Sequence, residues 1–241
     1  MTQDPVRDLD KRLDAFAADL ERAAGDNLRA LVLYGSAARG NVGPGSDVNL
    51  LLVLRDASAG ALRPLGPAVR QWVKAGEPPP LIFSEESWRA SADVFPIEVE
   101  DVRLHHRILR GVDPVQGLAT SRDDLRRELE REARGKLIQL SAQYAAAAPD
   151  GRALGSLIAA SCKAFLVLFR AGLRLAGREA PVANETVARE TAALCGFSAD
   201  ALAWPLARLA GGKTPDLAPH DPIAADFLDA VTAFVNFVDR A

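Results

Sequence analysis

The spacing of the apolar residues changes near residue 118, and this change constrains the fold more than any other feature of the sequence. Before it, short apolar runs such as 31–34 and 48–54 alternate with helical patterns. After it, apolar residues recur every three or four positions, which is the period of amphipathic helices. We therefore expect two domains, an α/β domain over 1–118 followed by an all-α helical bundle over 119–241.

The elements of each domain can be placed from these patterns. Leu9, Leu13, Phe16 and Leu20 recur at helical spacing and predict a first helix. A second helix is expected over about 60–75, before the proline run at 78–80. Strands are expected at 31–34, 48–54, 81–83 and 94–102. In the second domain the patterns predict helices that begin at about 121, 154, 184, 200 and 223.

Charge and composition exclude several classes of function. The chain has 29 Lys+Arg and 32 Asp+Glu, a net charge of −3, so long nucleic acid is not an expected partner. The N-terminal segment has no apolar run behind a basic start, and cytoplasmic localisation is expected. The apolar run 157–175 contains Lys163, Arg170 and Arg174, which predicts a buried helix and no membrane partner. Two cysteines are too few for a disulfide framework.

One segment of the first domain has the pattern of a phosphate site. Gly35 and Ser36 follow the first predicted strand directly, and ten residues then separate Ser36 from Asp47, which enters the next strand. Glycine permits a tight turn and close approach of a ligand, and a serine with turn amides can bind phosphate oxygens. Metal-dependent nucleotidyl transfer needs a triphosphate, cations and carboxylates held together, and this arrangement meets that need.

These residues resemble a known signature. Leu33 to Gly40 (LYGSAARG) followed by Ser46 to Leu51 (SDVNLL) is similar to the nucleotidyltransferase motif of the DNA polymerase beta-like superfamily, over about residues 28–105. The resemblance implies an α/β (α+β) nucleotidyltransferase domain with a mixed β-sheet. It also implies that Gly35 and Ser36 hold the β- and γ-phosphates, with Arg39 as a further phosphate contact. Asp47 would ligate Mg²⁺ or Mn²⁺, and Ser46 and Asn49 complete the candidate nucleotide-binding set.

Position 49 departs from this pattern. The family has a second acid there, on the same strand face as Asp47, and this chain has Asn49. An amide offers one neutral oxygen, which is a poor ligand for a hard cation. A unit charge at 4 Å is worth about 4 kcal/mol at an effective dielectric constant of 20, so metal binding is expected to be weak or absent.

The third acid of the signature belongs on a later strand. Glu98 and Glu100 share a face of the expected strand 94–102, and Asp101 lies on the opposite face. We prefer Glu98, then Glu100, which makes Asp47 and Glu98 the catalytic pair and Asp47, Glu98 and Glu100 the metal set. The alternative is that these acids are edge-strand charges that discourage aggregation.

The architecture, a nucleotidyltransferase core followed by helices, resembles that of the aminoglycoside nucleotidyltransferases. It implies transfer of a nucleoside monophosphate from an NTP, with ATP favoured, to a hydroxyl of a small molecule or protein. Asn49 favours an alternative, a catalytically inactive member that binds a nucleotide or, like an antitoxin, a partner protein. The acceptor and homo-oligomerisation stay open at this point.

Overall fold

A computed structural model describes the backbone of residues 5–40 and 48–241, and the side chains from residue 8 onward within those ranges. The chain divides into two compact units, Met1–Thr120 and Ser121–Ala241. The first unit holds all the β-structure of the described residues, and the second is helical. The predicted class, an α/β region followed by a helical region, is therefore confirmed.

The first unit is built on a mixed four-stranded sheet. Its strands are β1 (Leu28–Tyr34), β2 (Asn49–Leu54), β3 (Leu81–Ser84) and β4 (His106–Gly111), in the order β3-β2-β1-β4. β1 is antiparallel to both β2 and β4, while β2 and β3 are parallel. β1 and β2 are buried along most of their length, as their continuous apolar runs predict.

Helices cover both faces of this sheet. They are α1 (Pro5–Ala24), α2 (Ala59–Leu62), α3 (Gly66–Lys74), α4 (Glu85–Arg89) and α5 (Pro96–Leu104). Leu31 and Leu33 pack in one core with α1 and α3. Val32 and Tyr34 point to the other face and pack in a second core with Trp88 of α4 and with α5. The alternation of side chains along β1 thus places Tyr34 on the α5 face.

The strand expected at 94–102 is wrong, because most of this segment is the helix α5. Pro96 fits the first turn of a helix, where its missing N–H costs no hydrogen bond. Ile97 and Val99 satisfy the period of a strand, but Val99 and Val102 are one helical turn apart and both are fully buried. The strand of this region is β4, which the sequence analysis did not predict. It is half-exposed and carries charges, so it lacks the apolar pattern of a buried strand.

The second unit consists of helices packed around one of them. They are α6 (Arg122–Ala147), α7 (Gly151–Leu175), α8 (Asn184–Cys195), α9 (Ala203–Leu209) and α10 (Pro222–Arg240). α7 contacts each of the other four. By length and composition α7 could cross a membrane, yet 14 of its 25 residues are buried, as in a core helix. Arg170 is buried within it and donates hydrogen bonds to the carbonyls of Pro181 and Val182 and to the Asn184 side chain.

Candidate functional site

A compact turn follows β1. Gly35 has a φ of +76°, which is the region that glycine adopts at no steric cost. The N–H of Arg39 donates to the Gly35 carbonyl at 3.2 Å, and the N–H of Gly40 donates to the Ala37 carbonyl at 3.2 Å. Arg39 is the first residue of the turn whose N–H donates to a carbonyl within it. The N–H groups of residues 36–38 come before it, in the position of the leading N–H groups of a helix, which make no bond within the helix. Ser36 is half-buried there.

Asn49 lies directly beside this turn. It is the first residue of β2 and pairs with Tyr34, the last residue of β1. A Cβ atom placed on Gly35 would lie 2.9 Å from Asn49 Nδ2, closer than a side chain tolerates. The amide therefore occupies the space next to the start of the turn. Ser46 and Asp47, also named by the sequence analysis, lie outside the described residues.

Burial and the negative charges of two carboxylates of α5 raise the pKa of Tyr34, the last residue of β1. Glu98 and Asp101 are three residues apart and so lie on one side of the helix. The pKa of Tyr34 is raised far above its ordinary value, first by burial and then by the negative charges of Glu98 and Asp101. Tyr34, Glu98 and Asp101 therefore form one electrostatic group, and the Tyr34 hydroxyl stays protonated at neutral pH.

Arg39 faces this group. Its Nη1 donates to Asp101 Oδ1 at 2.7 Å, and only 5% of the Arg39 side chain and 16% of the Asp101 side chain are exposed. Arg39 is a predicted phosphate contact, and in the described residues its Nη1 binds Asp101.

Glu100 belongs to a different cluster. Its Oε1 accepts a hydrogen bond from the Thr120 hydroxyl at 2.6 Å, and its carboxylate binds Arg103 at 2.9 and 3.1 Å. The expectation that Glu98 and Glu100 share a face is wrong, because residues two apart in a helix lie on nearly opposite sides. Asp101, which was placed on the opposite face, is the acid that shares a side with Glu98.

The predicted metal set lies only partly within the described residues, because Asp47 is outside them. No group of three or more His, Cys, Asp or Glu side chains within 8–40 and 48–241 is arranged to hold a metal ion. Asn49 is neutral, and the charge of Asp101 is already balanced by Arg39. Of the two described members of the predicted metal set, Glu98 is the one whose charge acts on Tyr34 at the end of β1.

An accessible cation also lies near the turn. Leu9, Leu33, Ala37, Ala38 and Gly40 line a cavity of about 210 Å³, and the cavity also meets Asp10 and Arg107. These two form an ion pair at 2.7 Å, with each side chain 46% exposed. The sequence does not point to Arg107, because this residue lies on the unpredicted strand β4 and no motif marks it.

Comparison with known proteins identifies the architecture. Neither a protein-family model nor a curated protein matches the sequence. Among solved structures, spectinomycin adenyltransferase AAD(9) from Enterococcus faecialis, solved with ATP and spectinomycin, superposes with a TM-score of 0.64. The match covers 95% of this chain and 98% of that protein, at 12% sequence identity. The chain has the nucleotidyltransferase fold.

The similarity includes the helical unit, because a match over 95% of the chain extends well beyond Thr120. The resemblance seen in the motif at 33–51 thus agrees with the three-dimensional architecture. In the nucleotidyltransferase fold of this chain, the turn at 35–40 and the start of β2 are adjacent, as the pairing of Tyr34 with Asn49 shows.

Proposed function

We propose that this protein binds a nucleoside triphosphate, with ATP favoured, and that its phosphates lie against the turn at 35–40. The observation that carries the proposal is the turn itself, which begins at a left-handed glycine directly after the central strand of a nucleotidyltransferase fold. N–H groups at the start of a helical turn bind anions well. The similar enzyme was solved with ATP, which supports the choice of nucleotide.

The side chains around the turn have separate tasks. The Ser36 hydroxyl donates to a phosphate oxygen. Arg107 is paired with Asp10, but its guanidinium is 46% exposed and so can also donate to the triphosphate. Gly35 keeps the space in front of Asn49 free of a side chain. Because Asn49 stands where the signature has a second acid, we infer that binding depends little on magnesium.

A second candidate function is transfer of a nucleoside monophosphate from the bound NTP to a hydroxyl of a small molecule or protein. The similarity through the helical unit to an enzyme solved with ATP and spectinomycin favours it. Asp47 and Glu98 are its candidate catalytic residues, and the helical unit would bind the acceptor. Asn49 favours binding without transfer, and so we rank nucleotide binding first.

Calorimetry with ATP, in magnesium and in EDTA, tests the first proposal. We expect ATP to bind in both buffers with similar affinity, and Ser36→Ala to weaken binding about tenfold, since a hydrogen bond to a charged group is lost. Ser156→Ala, whose hydroxyl bonds the Arg152 carbonyl on an exposed part of α7, is the matched control. Absence of ATP binding by the unmodified protein would show that the proposal is wrong.

The Asn49→Asp variant and a transfer assay separate the two candidates. If Asn49 is what limits the metal site, Asn49→Asp makes ATP binding depend on magnesium. Transfer of label from ATP to an acceptor such as spectinomycin by the unmodified protein, lost in Asp47→Ala, would instead establish the second candidate. No transfer, together with ATP binding, supports the first.

A further inference from the structure

The guanidinium of Arg39 is placed inside the protein. Its side chain is 5% exposed, its Nη1 bonds Asp101, and its Nε is buried without a hydrogen-bond partner within the described part of the chain. A group that binds the phosphates of a ligand has to present its N–H donors to the ligand. Arg39 therefore has the environment of a residue that links two parts of the protein, whereas Arg107 is exposed to solvent.

The ion pair connects two parts of the proposed site. Arg39 belongs to the turn, because its own N–H bonds the Gly35 carbonyl. Asp101 belongs to α5, one helical turn after Glu98. The Arg39–Asp101 pair thus joins the segment proposed to hold the nucleotide to the helix that carries the remaining acid of the site.

We propose that Arg39 is a positioning residue, which fixes α5 and Glu98 against the turn through Asp101 and does not itself contact phosphate. The inference rests on the proposed function, because it assigns the nucleotide to this turn. A buried ion pair adds little net stability, yet loss of one partner leaves a charge uncompensated. The pair therefore fixes the position of α5 relative to the turn more than it increases the free energy of unfolding.

The effect of Arg39→Ala in the absence of the Asp101 side chain separates this role from direct phosphate contact. If Arg39 contacts phosphate, Arg39→Ala weakens ATP binding further in the Asp101→Ala background. If Arg39 only positions α5 through Asp101, Arg39→Ala has no further effect in that background. Asp101→Asn keeps the shape and an acceptor oxygen, so this variant retains the packing of Asp101.

The affinity for ATP is measured by calorimetry for the unmodified protein, Arg39→Ala, Asp101→Asn, Asp101→Ala and the double variant Arg39→Ala/Asp101→Ala. We expect each alanine variant to weaken binding about tenfold, and the double variant to be no weaker than either, because both act through one contact. Asp101→Asn, which keeps an acceptor oxygen, is expected to weaken binding by a smaller factor than Asp101→Ala. A double variant that binds ATP more weakly than either alanine variant, or an Arg39→Ala loss that Asp101→Ala does not share, overturns the proposal.

Hydrogen exchange without nucleotide gives a second readout that does not depend on ATP binding. We expect amide exchange of residues 97–104 to rise about tenfold in Arg39→Ala and in the double variant, with β2 unchanged. Arg110→Ala is the control, since Arg110 pairs with Glu21 at 3.0 Å on the exposed surface between β4 and α1. Unchanged exchange of α5 overturns the proposal, whereas absent ATP binding with raised exchange overturns only the proposed function.

Discussion

Asn49 and Gly35 constrain each other at the scale of single residues. Gly35 has a φ of +76°, and a Cβ added to it would lie only 2.9 Å from Asn49 Nδ2, so two separate costs oppose any side chain there. The first is backbone strain, and the second is a collision with a named atom. Gly117 has a φ of +79° and no atom within 4 Å of such a Cβ, so it isolates the first cost.

We expect Gly35→Ala to lower the free energy of unfolding by more than Gly117→Ala does. Each substitution costs about 1 kcal/mol or more for the left-handed backbone, and only Gly35→Ala adds the collision. Urea unfolding of both variants measures the difference. In the background Asn49→Ala the excess cost at position 35 is expected to disappear. Equal destabilisation by the two alanines would contradict this account.

The two cysteines are expected to be unreactive in the folded protein. Burial raises the pKa of Cys162 to about 12, and burial also raises the pKa of Cys195 to about 12. Because only the thiolate attacks a disulfide reagent, both thiols stay protonated and inert at pH 8. Titration with a chromogenic disulfide should detect no reactive thiol in the native protein and two reactive thiols after unfolding in urea. Rapid reaction of one thiol in the native protein, lost in Cys195→Ala, would contradict the expectation for Cys195.

At the scale of elements, α5 is held at two points on different sides. Asp101 binds Arg39 of the turn, and Glu100 binds the Thr120 hydroxyl at 2.6 Å near the end of the first unit. The two contacts have different neighbours, since Glu98 and Asp101 act on Tyr34 while Glu100 binds Arg103 and Thr120. The contacts of Glu100 therefore connect α5 to the end of the first unit.

We expect Glu100→Ala to lower the free energy of unfolding by about 1 to 3 kcal/mol, because it leaves the Thr120 hydroxyl without its acceptor. Thr120→Val removes the donor and is expected to cost about 1 kcal/mol. The two losses should be less than additive in the double variant, since both variants remove the Thr120–Glu100 hydrogen bond and Glu100→Ala also removes the bonds from Arg103. Urea unfolding provides the values, with exposed Glu86→Ala as the control. Fully additive losses would show that Glu100 acts through other contacts.

The elements that the sequence predicts well are those with a single consistent period. α1, β1, β2 and the helices of the second unit have such patterns, and the structure confirms them. The apolar residues of segment 94–102 fit both the period of a strand and that of a helix. Pro96 favours the helix, because proline fits the first turn, but the sequence alone does not show that Pro96 lies in a first turn. β4 is exposed on its edge, so burial does not impose a pattern on it.

The candidate site was predictable in part for a related reason. Gly35 and Asn49 are adjacent in space because Gly35 follows β1 and Asn49 begins β2, and the pairing of these strands follows from the apolar runs. The Arg39–Asp101 pair joins residues 62 positions apart through helix α5, and Arg107 comes from the edge strand β4. Neither contact follows from local spacing, because each depends on where a distant element packs.

At the scale of the whole molecule, the chain consists of two compact units, and we expect the second to fold alone. In Ser121–Ala241, α7 packs against all the other helices, and Phe169 meets Phe234 at a ring distance of 4.8 Å within its core. A fragment of residues 121–241 is therefore expected to be helical and to unfold cooperatively. Circular dichroism during urea titration measures this. A gradual, non-cooperative loss of helix would show that it needs the first unit.

The order of the strands has a consequence for synthesis of the chain. β1 precedes the other strands of the sheet in the chain, but its second neighbour, β4, ends only at Gly111. During translation, one edge of β1 therefore has unpaired backbone N–H and C=O groups until about 70 more residues have been made. Such an open edge can pair with another chain. Truncated products that stop before His106 keep that edge exposed, and aggregation is their expected fate.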